Sequence, residues 1–245
     1  MGRLVILSGP SCVGKGPLHK ALKIFYPKLA ANLPKLVLCD SRPPRPGEVD
    51  GVDYHFRTRD YIEQLKSDSG FLVTDVRGDL QALDLNYLRQ TLARGDAFFE
   101  GNPFIAVELL GMARMQKIET LSVFLSPLSA VEIEELKARQ DIHLETFVTD
   151  VMRRKLLRRA TKQRSILSLK DLENIEVRAG SAYKEMKLAW CFDFVIPNHD
   201  GEGSDNWNAF HYPIGDARSA LMCFADILSG EKPAYAERWA EDLFL

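Results

Sequence analysis

The sequence predicts an α/β fold built on a parallel sheet, and two observations carry that reading. Five short apolar runs, LVILSG (4–9), KLVLC (35–39), DAFFEG (96–101), LSVFLS (121–126) and FDFVIPN (192–198), alternate with stretches of helical pattern. Runs this apolar suit strands covered on both faces, and their alternation with helices favours a parallel arrangement. The first run also passes straight into a glycine-rich turn and an amphipathic segment. Composition agrees: of 245 residues, 46% are apolar and 27% charged, with a formal charge of −2. Those values exclude a disordered chain and a globally basic nucleic-acid coat. No apolar run approaches the roughly 18–20 residues of a membrane span, and MGRLVILSGPSCVGKG reads as a first strand, not a signal peptide. Cys12, Cys39, Cys191 and Cys223 lie far apart with no CxxC pair. Neither a zinc site nor a disulfide framework is expected, and a reducing cytoplasm is the expected compartment.

In chain order, the first strand (4–9) leads into GPSCVGKG (9–16) and a helix over 14–26. This is the G-x-x-x-x-G-K frame of a phosphate-binding loop. Such a loop bends tightly so that backbone N–H groups point at phosphate oxygens, and Gly9 and Gly14 permit the bend. The helix start adds a positive dipole end, and Lys15 brings a full charge for the β- and γ-phosphates. A chance glycine-rich turn is the competing reading; strand before, helix after and lysine in register argue against it. The hydroxyl expected after the lysine, which helps hold Mg²⁺, is missing, because Gly16 and Pro17 stand there.

Residues 40–83 break the α/β rhythm with a proline-rich turn and strand-like patterning, as a small inserted subdomain would. In SRPPRPGEVDGVDYHF (41–56), Arg42 and Arg45 lie three apart on a turn stiffened by Pro43, Pro44 and Pro46, with Tyr54 nearby. Two guanidinium forks so placed can converge on one phosphate. A basic, solvent-exposed turn is the alternative for an RxxR taken alone. Helices follow over 85–94, 128–139, 148–163, 170–189 and 215–228. The stretch VMRRKLLRRATKQR (151–164) holds seven Lys/Arg and no acid, with Met152, Leu156 and Ala160 on one stripe and Arg154, Arg158 and Lys162 on another. It reads first as a solvated face, and otherwise as grip on an anionic substrate or a surface for an acidic or nucleic-acid partner. The tail PAYAERWAEDLFL (233–245) has helix-like spacing and is expected to pack back on the domain.

The phosphate loop followed by SRPPRPGE…DGVDYHF closely resembles guanylate kinases and guanylate-kinase-like domains. DAFFEGN (96–102) resembles the family's strand ending in acid-x-acid, and IEVRAGSAYKEMKLAWCFDFVIPNHD (175–200) its last lid helix, final strand and ending. The resemblance implies a P-loop kinase fold: a five-stranded parallel core sheet, an inserted acceptor-binding subdomain and an extended helical lid. One domain is expected over 1–245, with core 1–37, 84–138 and 179–230, acceptor-binding subdomain 38–83, lid with basic insertion 139–178 and tail 231–245. The implied activity is ATP- and Mg²⁺-dependent phosphoryl transfer to a nucleoside monophosphate, GMP or dGMP in the family. The alternative is a catalytically weak module of the same type that binds a phosphorylated ligand or partner.

Carried over residue by residue, the resemblance implies ATP binding by Gly9, Ser11, Cys12, Val13, Gly14, Lys15, Gly16 and Asn198. It implies acceptor-phosphate binding by Arg42, Arg45 and Tyr54, catalytic roles for Lys15, Arg45, Arg164 and Arg178, and metal contact through Glu100 by way of Mg-ATP. The departures gather at the acceptor base. Leu38 stands for the family's Ser four residues before the first Arg, and Val73 for the Glu of F-[IL]-E. GDLQAL (78–83) replaces G-N-Y-Y-G-[ST], putting Gln81 at the second Tyr, and Asn102 replaces the second acid. A site that reads a base by hydrogen bonds loses discrimination when those partners go, so phosphate recognition without guanine specificity is expected.

Overall fold

The computed structural model describes residues 2–45, 47–164 and 166–245; Pro46 of the stiffened turn lies outside them. The chain divides into two compact units, Met1–Ile6 with Asn32–Leu121 and Leu7–Ala31 with Ser122–Leu245. Strands β1 (Leu4–Ser8), β6 (Ala97–Gly101), β7 (Thr120–Ser126) and β8 (Phe194–Pro197) form a sheet in the order β6-β1-β7-β8. β7 and β8 run parallel, with Val123 opposite Phe194 and Ser126 opposite Pro197. Leu4–Leu7, Phe98, Phe99, Phe124, Val195 and Ile196 are fully buried, as strands covered on both faces must be.

A fifth core strand was expected at 35–39, and among the described residues this sheet has four. Residues 34–36 keep only a fragment of that ladder: Leu36 N–H donates to Phe98 O (2.7 Å) and Phe98 N–H to Pro34 O (3.0 Å). Pro34 has no N–H to extend it. From Cys39 the chain pairs elsewhere, in a second sheet of order β3-β2-β5-β4. There β2 (Cys39–Asp40) lies between β3 (His55–Phe56) and β5 (Asp79–Asp84), and β5 pairs antiparallel with β4 (Phe71–Val76). Helix α3 (Arg59–Leu65) covers one face of this sheet, placing Ile62 against Leu80 and Ala82. The same unit holds α4 (Leu85–Arg94) and α5 (Pro103–Met115). α5 starts on Asn102, whose side chain accepts from Phe104 N–H (2.9 Å), with Pro103 at its first turn.

The second unit carries α1 (Lys15–Phe25), α2 (Pro27–Ala31), α6 (Ala130–Ala138), a hairpin of α7 (Leu144–Gln163) and α8 (Leu169–Met186), and α9 (Gly215–Ser229). α7 buries Val148, Met152 and Leu156, as the predicted stripe requires, while Ala160 is half-buried. Five of the seven basic residues of 151–164 meet carboxylates, as a solvated face allows. Arg158 and Lys162 both pair with Asp205, Arg159 with Glu202, Arg153 with Glu176 and Arg164 with Asp171. The acids come from α8 and from residues 202–205 after β8. Nucleic-acid affinity at near-physiological salt is therefore expected to be no better than the weak end of non-specific binding, about 10⁻⁴ M. Fluorescence anisotropy with a labelled duplex checks this.

The tail packs back as expected but is not helical over its length. Glu237 exchanges two backbone hydrogen bonds with Val195 on β8 (2.7 and 2.8 Å), and its carboxylate accepts from Ala130 N–H at the start of α6 and from Trp239 Nε1. Trp239 is buried and Phe244 packs edge-on against Tyr183. The tail thus covers the edge of β8, an edge that would otherwise offer unpaired backbone groups. Among the described residues no helix is long and apolar enough to cross a membrane.

Candidate active site

The phosphate loop takes the conformation its glycines allow. Gly9, Cys12 and Gly14 have φ of 143°, 70° and 113°. A Cβ on Gly9 would stand 2.3 Å from Leu125 O, and one on Gly14 would stand 2.6 Å from Asn198 Nδ2, so neither position admits a side chain. Helix α1 begins at Lys15 with no side-chain cap and no acid in its first turn, leaving the positive end of its dipole uncompensated. Lys15 Nζ folds over the loop and donates to Gly9 O (2.7 Å) and Pro10 O (2.9 Å). Ser11 Oγ accepts from Arg178 Nε at 2.8 Å, so the structure brings this lid arginine to the loop.

Cys12 is buried with its thiol directed at Lys155 O; burial and the neighbouring Glu202 push the thiol up to about 11, which keeps it un-ionised. Asn198 is fully buried, and its amide donates to Val13 O (2.7 Å) and Asp200 O (2.8 Å). One bond ties Asn198 to the phosphate loop and the other closes its own turn. Arg164 sits at the hairpin tip, paired with Asp171 at 3.2 Å. Arg178 lies nine positions, roughly 14 Å of helix, along α8 from Leu169.

His199 follows Asn198 and lies between two carboxylates, with Nδ1 2.5 Å from Asp216 and Nε2 2.8 Å from Glu132. Burial lowers its pKa, but the hydrogen bonds to Asp216 and Glu132 outweigh that and raise it. A pKa raised on folding adds stability that is complete below the unfolded value of about 6.5 and fades as pH rises through the folded one. The imidazole is half exposed, so the gain is that of a screened pair, about 0.5–1 kcal/mol. His199→Gln should therefore lower the melting temperature by about 1–3 °C at pH 5.5 and by less at pH 9, read by calorimetry.

The acceptor motif forms a compact cluster in the other unit. Arg42 makes a two-pronged pair with Glu48 (2.6 and 2.9 Å), its Nε is 3.4 Å from Asp40, and its guanidinium lies 5.0 Å from the Tyr54 ring centre and 5.5 Å from that of Phe56. Glu48 also accepts from Arg45 N–H (2.7 Å) and stands 3.8 Å from its guanidinium. Burial raises the Glu48 pKa, but hydrogen bonds from Arg42 and Arg45 outweigh it and hold the carboxyl below the usual range. Glu48 was not singled out from the sequence, although the acid in SRPPRPGE, three residues past Arg45, was the available signal. Asp40 is buried, held by Gln81 Nε2 at 2.9 Å, and burial raises its pKa. Tyr54, also raised by burial, contributes its ring to Arg42.

The hairpin register puts Val73 and Leu72 on opposite faces of the sheet. Val73 packs in the cluster under α3, so it faces away from Asp40 and Gln81. Leu72, directly opposite Leu83, shares their face. Glu100 pairs with Lys35 at 3.5 Å, and among the described residues no group of three or more His, Cys, Asp or Glu is placed to hold a metal. With Gly16 and Pro17 offering no hydroxyl, this donor set does not make a resident Mg²⁺ site.

The family model described as guanylate kinase matches residues 1–156. Guanylate kinase of Bacillus subtilis (strain 168) is 29% identical over 204 residues, 82% of this chain and 83% of that protein. Guanylate kinase of Listeria monocytogenes serotype 4b (strain F2365) is 29% identical over 201 residues, 80% of each. That of Synechococcus sp. (strain JA-3-3Ab) is 35% identical over 136 residues, 54% of this chain and 58% of that protein. The crystal structure of guanylate kinase from Anaplasma phagocytophilum superposes with a TM-score of 0.51 at 22% identity, over 81% of this chain and 78% of that one, and so shares its fold. The match over more than half of the sequence shows that the chain belongs to the guanylate kinase family.

Proposed function

We propose that the protein transfers the γ-phosphoryl group of ATP to the phosphate of a phosphomonoester, the chemistry that its relatives' name, guanylate kinase, describes for GMP. The observation that carries this reading is the phosphate loop with Lys15 across it and Arg178 on its Ser11. In the reaction an acceptor-phosphate oxygen bonds to the γ-phosphorus while the bond from that phosphorus to the β–γ bridging oxygen breaks, and ADP leaves. No covalent enzyme intermediate is needed, so positioning and charge neutralisation supply the catalysis. The loop amides and Lys15 hold the donor phosphates, Arg42 and Arg45 take the acceptor phosphate, and Arg178 meets the transferring group. Asn198 acts as a positioning residue through Val13 O, and Tyr54 by stacking on Arg42. Bound with ATP, Mg²⁺ would supply charge neutralisation on the phosphates. Steady-state ADP formation that depends on an added phosphomonoester supports the reading; ADP formation indifferent to every acceptor overturns it.

A further inference from the structure

Cys12 carries a side chain at φ 70°, in the left-handed region that favours glycine. A residue keeps that conformation where its surroundings fix it from several sides. Here one segment, residues 198–207 after β8, meets each of three consecutive loop residues. Glu202 N–H donates to Cys12 O at 3.1 Å, and Asn198 Nδ2 donates to Val13 O at 2.7 Å. The Trp207 ring lies 3.2 Å from where a Cβ on Gly14 would stand. A trans peptide points its C=O and the following N–H in opposite directions. Holding Cys12 O therefore turns Val13 N–H the other way, where it bonds Pro10 O across the loop at 3.3 Å, and holding Val13 O does the same for Gly14 N–H. Fixed carbonyls thus fix amide directions, on which a phosphate-binding loop depends.

The segment is itself fastened on two sides. Trp207 is buried, and its Nε1 donates to Gly201 O (3.1 Å) and Asp200 O (3.2 Å). The Asp200 carboxylate accepts from Ser204 Oγ (2.7 Å), Asn206 Nδ2 (3.0 Å) and Ala217 N–H in the first turn of α9 (3.0 Å). Helix α7 closes the other side. A Cβ on Gly201 would stand 2.6 Å from Cys12 O and 3.1 Å from Lys155 Cδ, and one on Gly203 would stand 3.1 Å from Arg159 N. The segment therefore runs in close contact between loop and helix. Cys12 Sγ approaches Lys155 O at 3.4 Å, Lys155 Nζ donates to His199 O, and Arg159 pairs with Glu202. The side chains of that last pair are 26% and 16% exposed, against 55% and 67% for Arg158 and Asp205, so water screens it less.

We propose that Glu202 is a positioning residue for the donor nucleotide: its backbone N–H holds Cys12, and Arg159 keeps it in place by pairing with its carboxylate. The inference rests on the reading of the loop as the ATP-phosphate site, and not on transfer to any acceptor. On the full chain, Arg159→Ala should weaken ATP binding about tenfold by calorimetry, the effect of one charge-assisted hydrogen bond. Arg159→Lys, which keeps the charge, should stay within about threefold of wild type. Arg153→Ala is the control, because its partner Glu176 lies on α8 and the pair stays within the hairpin. It should cost a similar drop in melting temperature yet leave ATP affinity within about twofold. ATP weakened equally by Arg159→Ala and Arg153→Ala overturns the proposal, since a merely loosened α7 would do that. Unchanged ATP affinity in Arg159→Ala overturns it as well. Hydrogen exchange supplies a readout without nucleotide: the amides of residues 12–14 should exchange about tenfold faster in Arg159→Ala than in wild type, and equal rates contradict the proposal. If the wild type binds no ATP, the donor reading fails and exchange at residues 12–14 alone decides the role of Glu202. If Arg159→Ala fails to fold, Glu202→Gln, which keeps the backbone N–H and the side-chain shape, takes its place with the same expected results.

Discussion

Lys15→Ala is expected to weaken ATP binding by about tenfold to a hundredfold while the protein stays folded. The lysine supplies a charged donor to phosphate, and charge-assisted hydrogen bonds are each worth about 1.5–3 kcal/mol. It now donates to the loop carbonyls of Gly9 and Pro10, with which a bound phosphate would compete. Losing them costs the fold little, because Lys15 is half-buried at a loop–helix junction and outside the core. A fall in melting temperature of only a few degrees should accompany the lost affinity. Calorimetric titration of ATP into both proteins checks the first claim, and thermal unfolding the second. Equal ATP affinity would contradict the loop's assignment.

Arg178→Ala should lower kcat by about 10³–10⁵, the range seen when a transition-state arginine is removed. ATP affinity should change far less, since the residue reaches the loop through Ser11 Oγ and not through the backbone cradle. Arg158→Ala provides the contrast. Its partner Asp205 is exposed, and Lys162 shares that carboxylate, so kcat should stay within about twofold of wild type. Single-turnover transfer with both variants at saturating MgATP gives the comparison. A wild-type rate for Arg178→Ala would move the role to another arginine of the hairpin.

Legibility in the sequence followed how local each cause was. The phosphate loop was readable because a turn of fixed backbone shape needs glycines at fixed offsets, and Gly9 and Gly14 have the positive φ that this demands. Helices α1, α4 and α9 lie within a residue or two of expectation, their ends marked by local signals such as Asp84 capping α4. Helix α5 was not anticipated. Its buried residues Ile105, Ala106, Leu109, Leu110 and Ala113 recur on one face, but Phe104, Val107, Met112 and Met115 outside it are apolar too, so the sequence shows no clear stripe. The fifth strand failed for a different reason, since the apolar run at 35–39 is shared between two sheets.

The site was legible as chemistry more than as geometry. Arg42, Arg45 and Tyr54 do cluster, yet Glu48 closes on both arginines, and a carboxylate three residues downstream announces no such contact. Val73 and Leu72 differ by one position, and in a strand one position changes the face. Arg158, Arg159 and Lys162 looked uncompensated because their partners, Asp205 and Glu202, lie some forty residues further on. Asn198 likewise found its partners across 185 residues, at Val13 O. Long-range pairings of this kind leave no periodic trace.

The central claim is that this member of the family moves phosphate from ATP to a phosphomonoester with a loop that lacks the usual hydroxyl after its lysine. The most direct measurement is single-turnover transfer from [γ-³²P]ATP, with enzyme in excess, to a panel of ribose 5-phosphate, sn-glycerol 3-phosphate and the four nucleoside monophosphates. The account predicts a labelled diphosphate product from at least one phosphomonoester, abolished in Arg178→Ala and strongly reduced in Lys15→Ala. ATP bound tightly by the wild type, with no labelled product from any member of the panel, would contradict it.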